Sequence, residues 1–306
     1  MSPFPGLNGM LPKSGRPFRI HDKGSRAPLV MCHAIAGTVF FYYHLQRTGL
    51  LQGPLHAIQA CGLEDGEEPM GTVQALAARN LQVIAQEQDL ESVHLGGYSF
   101  GCIVALEMAR QLEAAGLTPR PLILLAPSPP TQVTDQTPDA ERSAIVEAQT
   151  ASLLKTALRG MDRLVPRRYK DRLSHLYRTH LQAYHAHRPS AVNCEIAAFV
   201  PLGERADSRA AVIDHWRGLS HTRCSVHDAG GDHKTMLRAP HTAPLVRAFE
   251  SVLREAAEAR HAMAAPDAPA PIPALPRRRG AATVSSPAMQ GMAPGLAHSA
   301  RLDEND

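Results

Sequence analysis

The pentapeptide Gly97-Tyr98-Ser99-Phe100-Gly101 constrains this chain more than any other feature. A Gly-x-Ser-x-Gly spacing recurs by chance in long chains, so its setting decides its meaning. Here Val93-His94-Leu95-Gly96 reads as a strand before it, and Cys102 to Ala115 reads as an apolar helix after it, stopping at Gly116. Strand, sharp turn and helix with a serine at the turn is the arrangement that exposes a hydroxyl at a helix N-terminus, where negative charge is favoured. The flanking glycines leave room for strand and helix to pass closely. Ser99 is therefore the candidate nucleophile.

The rest of the chain alternates in the same way. Leu29-Val30-Met31-Cys32, Leu55 to Gln59, Leu122-Leu125, Ile196 to Leu202 and Arg223 to His227 read as strands. Thr72 to Gln86 reads as a helix capped by Thr72, and Leu245 to Ala256 as a closing amphipathic helix. Apolar strands alternating with helices predict an α/β fold with a mostly parallel sheet. From about residue 134 to 190 only helical patterning is seen, interrupted by Gly160 and Pro166, which predicts a helical lid inserted between two strands.

A serine nucleophile needs an imidazole base and donors for an oxyanion. The chain has 16 histidines, so position must choose among them. His233, in Gly230-Gly231-Asp232-His233-Lys234-Thr235, follows the last strand and precedes the closing helix, and is the candidate base; the alternative is a loop histidine that caps the next segment. His33 follows the first core strand and is expected to shape the loop His33-Ala34-Ile35-Ala36-Gly37. That loop would supply one oxyanion amide from Ile35, with Phe100 supplying the other.

These blocks resemble the thioesterase domains of fatty acid, polyketide and nonribosomal peptide synthases, over about Pro28 to Leu253. The likeness is carried by the His33–Gly37 loop, by Ile58-Gln59-Ala60-Cys61-Gly62-Leu63, by the elbow and its helix through Ala109, and by Gly231-Asp232-His233-Lys234-Thr235-Met236-Leu237. The resemblance implies an α/β-hydrolase fold, with a helical lid over an acyl channel. It implies a serine thioesterase acting on acyl, polyketide or peptidyl groups held by the phosphopantetheine arm of a carrier protein, in product release or editing, with no cofactor and no metal. One position departs from the pattern. In synthase-fused members the acid of the triad follows the strand after the elbow helix, where this chain has Ala126. Members with the acid after the following strand direct attention to Gly203-Glu204-Arg205-Ala206-Asp207, with Asp207 as first choice and Glu204 as alternative. Asp232, adjacent to His233, is poorly placed to reach the far side of its ring. A carboxylesterase or acyltransferase of the same fold, and a catalytically impaired carrier-binding module, remain as alternatives.

Composition narrows the class. A net charge of +3 in 306 residues gives no reason to expect a nucleic-acid partner. No apolar run approaches membrane-spanning length, and Met1 to Gly6 has no secretory pattern. Five scattered cysteines without CxxC spacing argue against a disulfide scaffold or zinc ribbon, so a cytoplasmic monomer is expected. Prolines and glycines crowd both ends, predicting an extended lead-in over 1–15, a folded domain over 16–260 and a Pro/Ala-rich disordered tail over 261–306 that includes Arg277-Arg278-Arg279. Lys155, Arg159, Arg163, Arg167, Arg168, Lys170, Arg172, Arg178 and Arg188 meet only Asp162 and Asp171 in the same stretch. They read as a solvated face or as a dock for an acidic carrier protein.

Overall fold

The computed structural model describes residues 15–131 and 133–264; most of the expected lead-in, and all of the expected tail beyond Ala264, fall outside the described residues. Seven strands form one sheet: β1 (Phe18–His21), β2 (Leu29–Cys32), β3 (Leu55–Ile58), β4 (His94–Tyr98), β5 (Leu122–Leu125), β6 (Ile196–Pro201) and β7 (Cys224–Ala229). Their order is β1-β3-β2-β4-β5-β6-β7, with β1 antiparallel to β3 and every other pair parallel. This is an α/β-hydrolase-type architecture.

Parallel strands covered on both faces need apolar residues throughout, and β2, β3, β5 and β6 are buried at every position. Alternate residues feed two cores. Val30, Cys32, Ala198 and Val200 face α2 (Val73–Ala85), α3 (Phe100–Ala114) and Trp216 of α6 (Ala206–Arg217). Leu29, Met31, Ala197 and Phe199 face Leu45 of α1 (Tyr43–Gln46) and Val246, Phe249 and Leu253 of α7 (Thr242–Ala264). Thr72 caps α2 as expected, its hydroxyl accepting from the Ala75 amide at 3.1 Å.

Between β5 and β6 stand α4 (Asp139–Ala157) and α5 (Arg167–Ala186). Leu173, Leu176, Tyr177, His180 and Leu181 form the buried stripe of α5, at helical spacing. Leu158, Val165, Leu173 and Tyr177 make a small core of their own, against which Ala36 and Leu63 of the main body pack. The cationic run is more compensated than its own stretch suggests. Acids outside that stretch meet it: Asp65 pairs with Arg172, Glu147 with Arg178 and Asp135 with Arg188.

Three of these elements escape the sequence patterns, the one-turn helix α1 among them. β1 is a four-residue edge strand in which Arg19 and His21 alternate with Phe18 and Ile20. α6 buries only Val212 and Trp216, too sparse a stripe to register as amphipathic. The closing helix is also longer than expected, reaching Ala264.

Candidate active site

The chain leaves β2 for β3 on one side and returns to β4 on the other, so the carboxyl ends of β2 and β4 flank the crevice where open α/β sheets hold their ligands. β4 passes into α3 through Ser99 alone, at φ 57° and ψ −123°. A non-glycine residue there is strained, and such strain persists only where the surroundings over-determine it. The Ser99 amide donates to the Leu125 carbonyl at 3.0 Å, and the Cys102 amide donates to the Ser99 carbonyl at 3.0 Å. Both glycines of the pentapeptide are required by contact. A Cβ on Gly97 would lie 2.2 Å from the Gly101 backbone, and one on Gly101 would lie 2.6 Å from the His33 carbonyl oxygen and 2.7 Å from that of Cys32. The helix thus begins directly against the end of β2. Phe100 is the first residue of α3, so its N–H has no intrahelical acceptor.

His233 Nε2 lies 3.0 Å from Ser99 Oγ, across 134 residues of sequence. Burial is the largest influence on this imidazole and lowers its pKa, while the carboxylates of Glu204 and Asp232 act in the opposite sense. A base neutral near neutral pH can accept the serine proton. The Tyr98 hydroxyl donates to the His233 carbonyl, and the two rings stand 5.3 Å apart. The sequence assigns Tyr98 no role of its own; its position beside Ser99 at the strand end is the signal that points to one.

The three acids near this loop differ in what they touch. Glu204 Oε1 accepts from the His233 amide at 2.8 Å, and Gly203 N–H donates to the Gly231 carbonyl at 2.8 Å, so the loop after β6 is tied to the histidine loop. Asp232 accepts from the Lys234 and Thr235 amides and the Thr235 hydroxyl, shaping the turn around His233. Asp207 is not brought to His233. It starts α6, where Arg205 and the Ser208 amide bind its exposed carboxylate and hold its pKa below the usual carboxylate value. α6 begins at Ala206, and its first turn leaves the Asp207 carboxylate exposed to solvent. Ala126, in the place where an acid was sought after β5, is buried at φ 43° with its amide donating to the Phe199 carbonyl at 2.9 Å.

On the other side of Ser99 the His33–Gly37 loop forms a turn closed by the Gly37 amide donating to the Ala34 carbonyl at 2.8 Å. His33 Nδ1 lies 2.9 Å from that same carbonyl. A carbonyl only accepts, so Nδ1 carries the proton. Burial first, then the neighbouring His180, push the His33 pKa down to about 3, leaving the ring neutral. His180, from α5, is a residue that sequence reasoning missed. It looked like one helical histidine among many, and only its place on the apolar stripe of α5 set it apart.

Among the described residues no group of His, Cys, Asp or Glu is arranged to hold a metal ion, and no helix is long and apolar enough to cross a membrane. Comparison with known proteins adds relatives of one kind. Indigoidine synthase of Dickeya dadantii is 38% identical over 112 residues, which is 37% of this chain and 8% of that protein. The nonribosomal peptide synthetase apvA of Aspergillus terreus is 24% identical across 79% of this chain and 29% of its own length. The chain therefore spans less than a third of these relatives. Among solved structures, the Vlm2 thioesterase domain bound with a dodecadepsipeptide aligns with a TM-score of 0.63 at 22% identity, covering 78% of this chain and 97% of that one. The RedJ thioesterase of the prodiginine pathway in Streptomyces coelicolor aligns at 0.60 and 20%, covering 76% and 95%. The family model for the thioesterase domain matches residues 27–253, and the chain belongs to that family.

Proposed function

We propose that this chain is a serine thioesterase that hydrolyses acyl or peptidyl groups from the phosphopantetheine arm of a carrier protein. The observation that carries the reading is Ser99, strained at a helix N-terminus with its hydroxyl 3.0 Å from His233 Nε2. Ser99 Oγ attacks the thioester carbonyl as its proton passes to His233 Nε2. The amides of Ile35 and Phe100 hold the oxyanion of the tetrahedral intermediate. The intermediate collapses with the C–S bond breaking, and the imidazolium returns its proton to the departing thiolate. Water, deprotonated by the same imidazole, then attacks the acyl-serine; the acid leaves and the Ser99 hydroxyl is restored.

Glu204 is the carboxylate that supports this imidazole best. It is bonded to the His233 main chain, and its charge raises the pKa of the ring. A cavity of about 310 Å3 lined by Ile103, Pro129, Tyr184 and His187 provides room for part of an acyl group. Tyr184 stands 6.4 Å from the ring of Phe100 and so links that cavity to the elbow. The carrier-protein substrate is supported by the synthase relatives, in which this domain is one part of a longer chain.

The test is intact-mass measurement after mixing the protein with acyl-loaded carrier protein. Wild type is expected to show a transient acyl adduct and free acid, and Ser99→Ala neither. If wild type neither acylates nor releases acid, the reading is wrong. A carrier-binding module without catalysis would leave Ser99 unlabelled by a fluorophosphonate probe.

A further inference from the structure

Two imidazoles hold two consecutive carbonyls of the oxyanion loop. His33 Nδ1 lies 2.9 Å from Ala34 O, and His180 Nδ1 lies 2.9 Å from Ile35 O. A peptide unit is planar and trans, so fixing its carbonyl also aims the N–H at its other end. The Ala34 carbonyl shares a plane with the Ile35 N–H, the proposed oxyanion donor. The Ile35 carbonyl belongs to the next plane. With both planes held, neither torsion about the Ile35 Cα is free. One clamp comes from the loop itself, while the other comes from the helix between β5 and β6.

His180 is built for this contact. It is fully buried, it stacks on His33 at 5.1 Å and 17°, and it stacks on Phe100 at 5.3 Å and 22°. A single side chain of α5 thus touches the residues of both proposed oxyanion donors. Its proton must sit on Nδ1, since its partner is a carbonyl, and burial brings its pKa down to about 4. Among the described residues, the buried Nε2 atoms of both rings have no hydrogen-bond partner. Each ring's hydrogen bond is therefore made through Nδ1, to a carbonyl of this loop. Beside it on α5, Leu176 closes over Gly37, where an added Cβ would come within 2.9 Å of it. Seating of α5 and shape of the loop are therefore one packing event.

We propose that His180 is a positioning residue for the oxyanion hole, fixing the peptide plane after Ile35 so that the hole is assembled only when α5 is seated. This rests on the serine thioesterase reading and deepens it. The residue acts through the loop and touches no reacting atom.

Two substitutions separate donor from stack. His180→Phe keeps a buried ring on His33 and Phe100 but removes the Nδ1 donor. His180→Asn gives up the ring yet places an amide N–H close to where Nδ1 stood. Steady-state kinetics with an acyl-pantetheine thioester would be paired with direct binding of an alkyl boronic acid, which forms a tetrahedral adduct on Ser99. The expected result for His180→Phe is a fall in kcat of roughly 10- to 100-fold with KM within about threefold, as a displaced donor costs most in the transition state. Boronate affinity should fall in the same proportion, and His180→Asn should recover most of both losses. Wild-type kcat and boronate affinity in His180→Phe would overturn the inference. So would losses in Phe and Asn that simply follow their thermal midpoints, because that is the signature of packing alone. The boronate arm needs no turnover, so it decides the role of His180 even if the acyl-pantetheine thioester is not hydrolysed by wild type, a result that would instead sink the thioesterase reading.

Discussion

Replacing Gly101 by alanine places a methyl group between the two halves of the proposed oxyanion hole. Its Cβ would stand 2.6 Å from the His33 carbonyl oxygen and 2.7 Å from that of Cys32, about 0.8 Å short of an ordinary contact. Both obstructing atoms are backbone, so no side chain can swing aside. Either the first turn of α3 withdraws, carrying Phe100 N–H with it, or the His33–Gly37 loop lifts, carrying Ile35 N–H. Overpacking of this kind costs about 1–3 kcal/mol of stability. Complete loss of one oxyanion donor costs roughly 10²–10³ in kcat. A shift of most of an ångström in one donor, with the other kept, should therefore cost about 10- to 100-fold. Neither Ser99 Oγ nor His233 is among the atoms the new methyl would strike, so substrate affinity should change less than turnover. The assay is single-turnover acylation from an acyl-pantetheine thioester, with thermal unfolding measured in parallel. A folded Gly101→Ala protein that acylates at the wild-type rate would refute the argument, because the contact that forces α3 and the loop apart would then not be felt.

Three further outcomes follow from the site and the cores. Glu204→Gln removes a charge that raises the His233 pKa, so the acid limb of the pH–rate profile should move to lower pH while the plateau falls about 10-fold or more; Asp207→Asn should leave both within twofold. An unshifted limb in Glu204→Gln, or a collapse of rate in Asp207→Asn, would reverse the assignment of the acid. Glu250, almost fully buried, accepts from Arg26 at 2.9 Å and from the Gln52 amide at 3.1 Å, tying α7 to the loops before β2 and β3. Glu250→Gln leaves the buried Arg26 charge without its counter-ion and should cost about 3–5 kcal/mol, seen as a thermal midpoint lower by roughly 6–20 °C. A midpoint within about 2 °C of wild type would show that the pair is solvated.

The elbow and the proposed base were legible because the pattern that points to each is local. Ser99 needs glycines two residues to either side, and a helix at once after it, all of which lie within one short run. His233 could be chosen from its place between the last strand and the closing helix. The proposed acid was less legible, since the choice depends on which way a short segment turns. Glu204 and Asp207 are three residues apart, and the start of α6 sends one toward the base and the other to solvent. Position 180 was silent for another reason: it meets Ile35 across 145 residues, through a tertiary contact that no periodicity encodes. β1 and α6 were too short or too sparsely apolar to rise above their surroundings.

Ala126 has a consequence for how this domain can vary. β5 and β6 are neighbours, with Leu125 opposite Phe199, so a carboxylate can pass from the end of one strand to the loop after the other while the base stays in place. With Glu204 in that role, the segment that leads from β5 into the helical insertion carries no member of the proton relay. It is gripped instead by its main chain, through the Ala126 amide on Phe199 and the Ser128 carbonyl that accepts from Trp216 Nε1 at 2.8 Å. Such bonds do not ask which side chains sit at 129 or 130, which line the cavity, whereas Ala126, buried at φ 43°, is held to a small side chain. In the proposed thioesterase, substrate preference can therefore be retuned at these two positions with the proposed proton relay left alone.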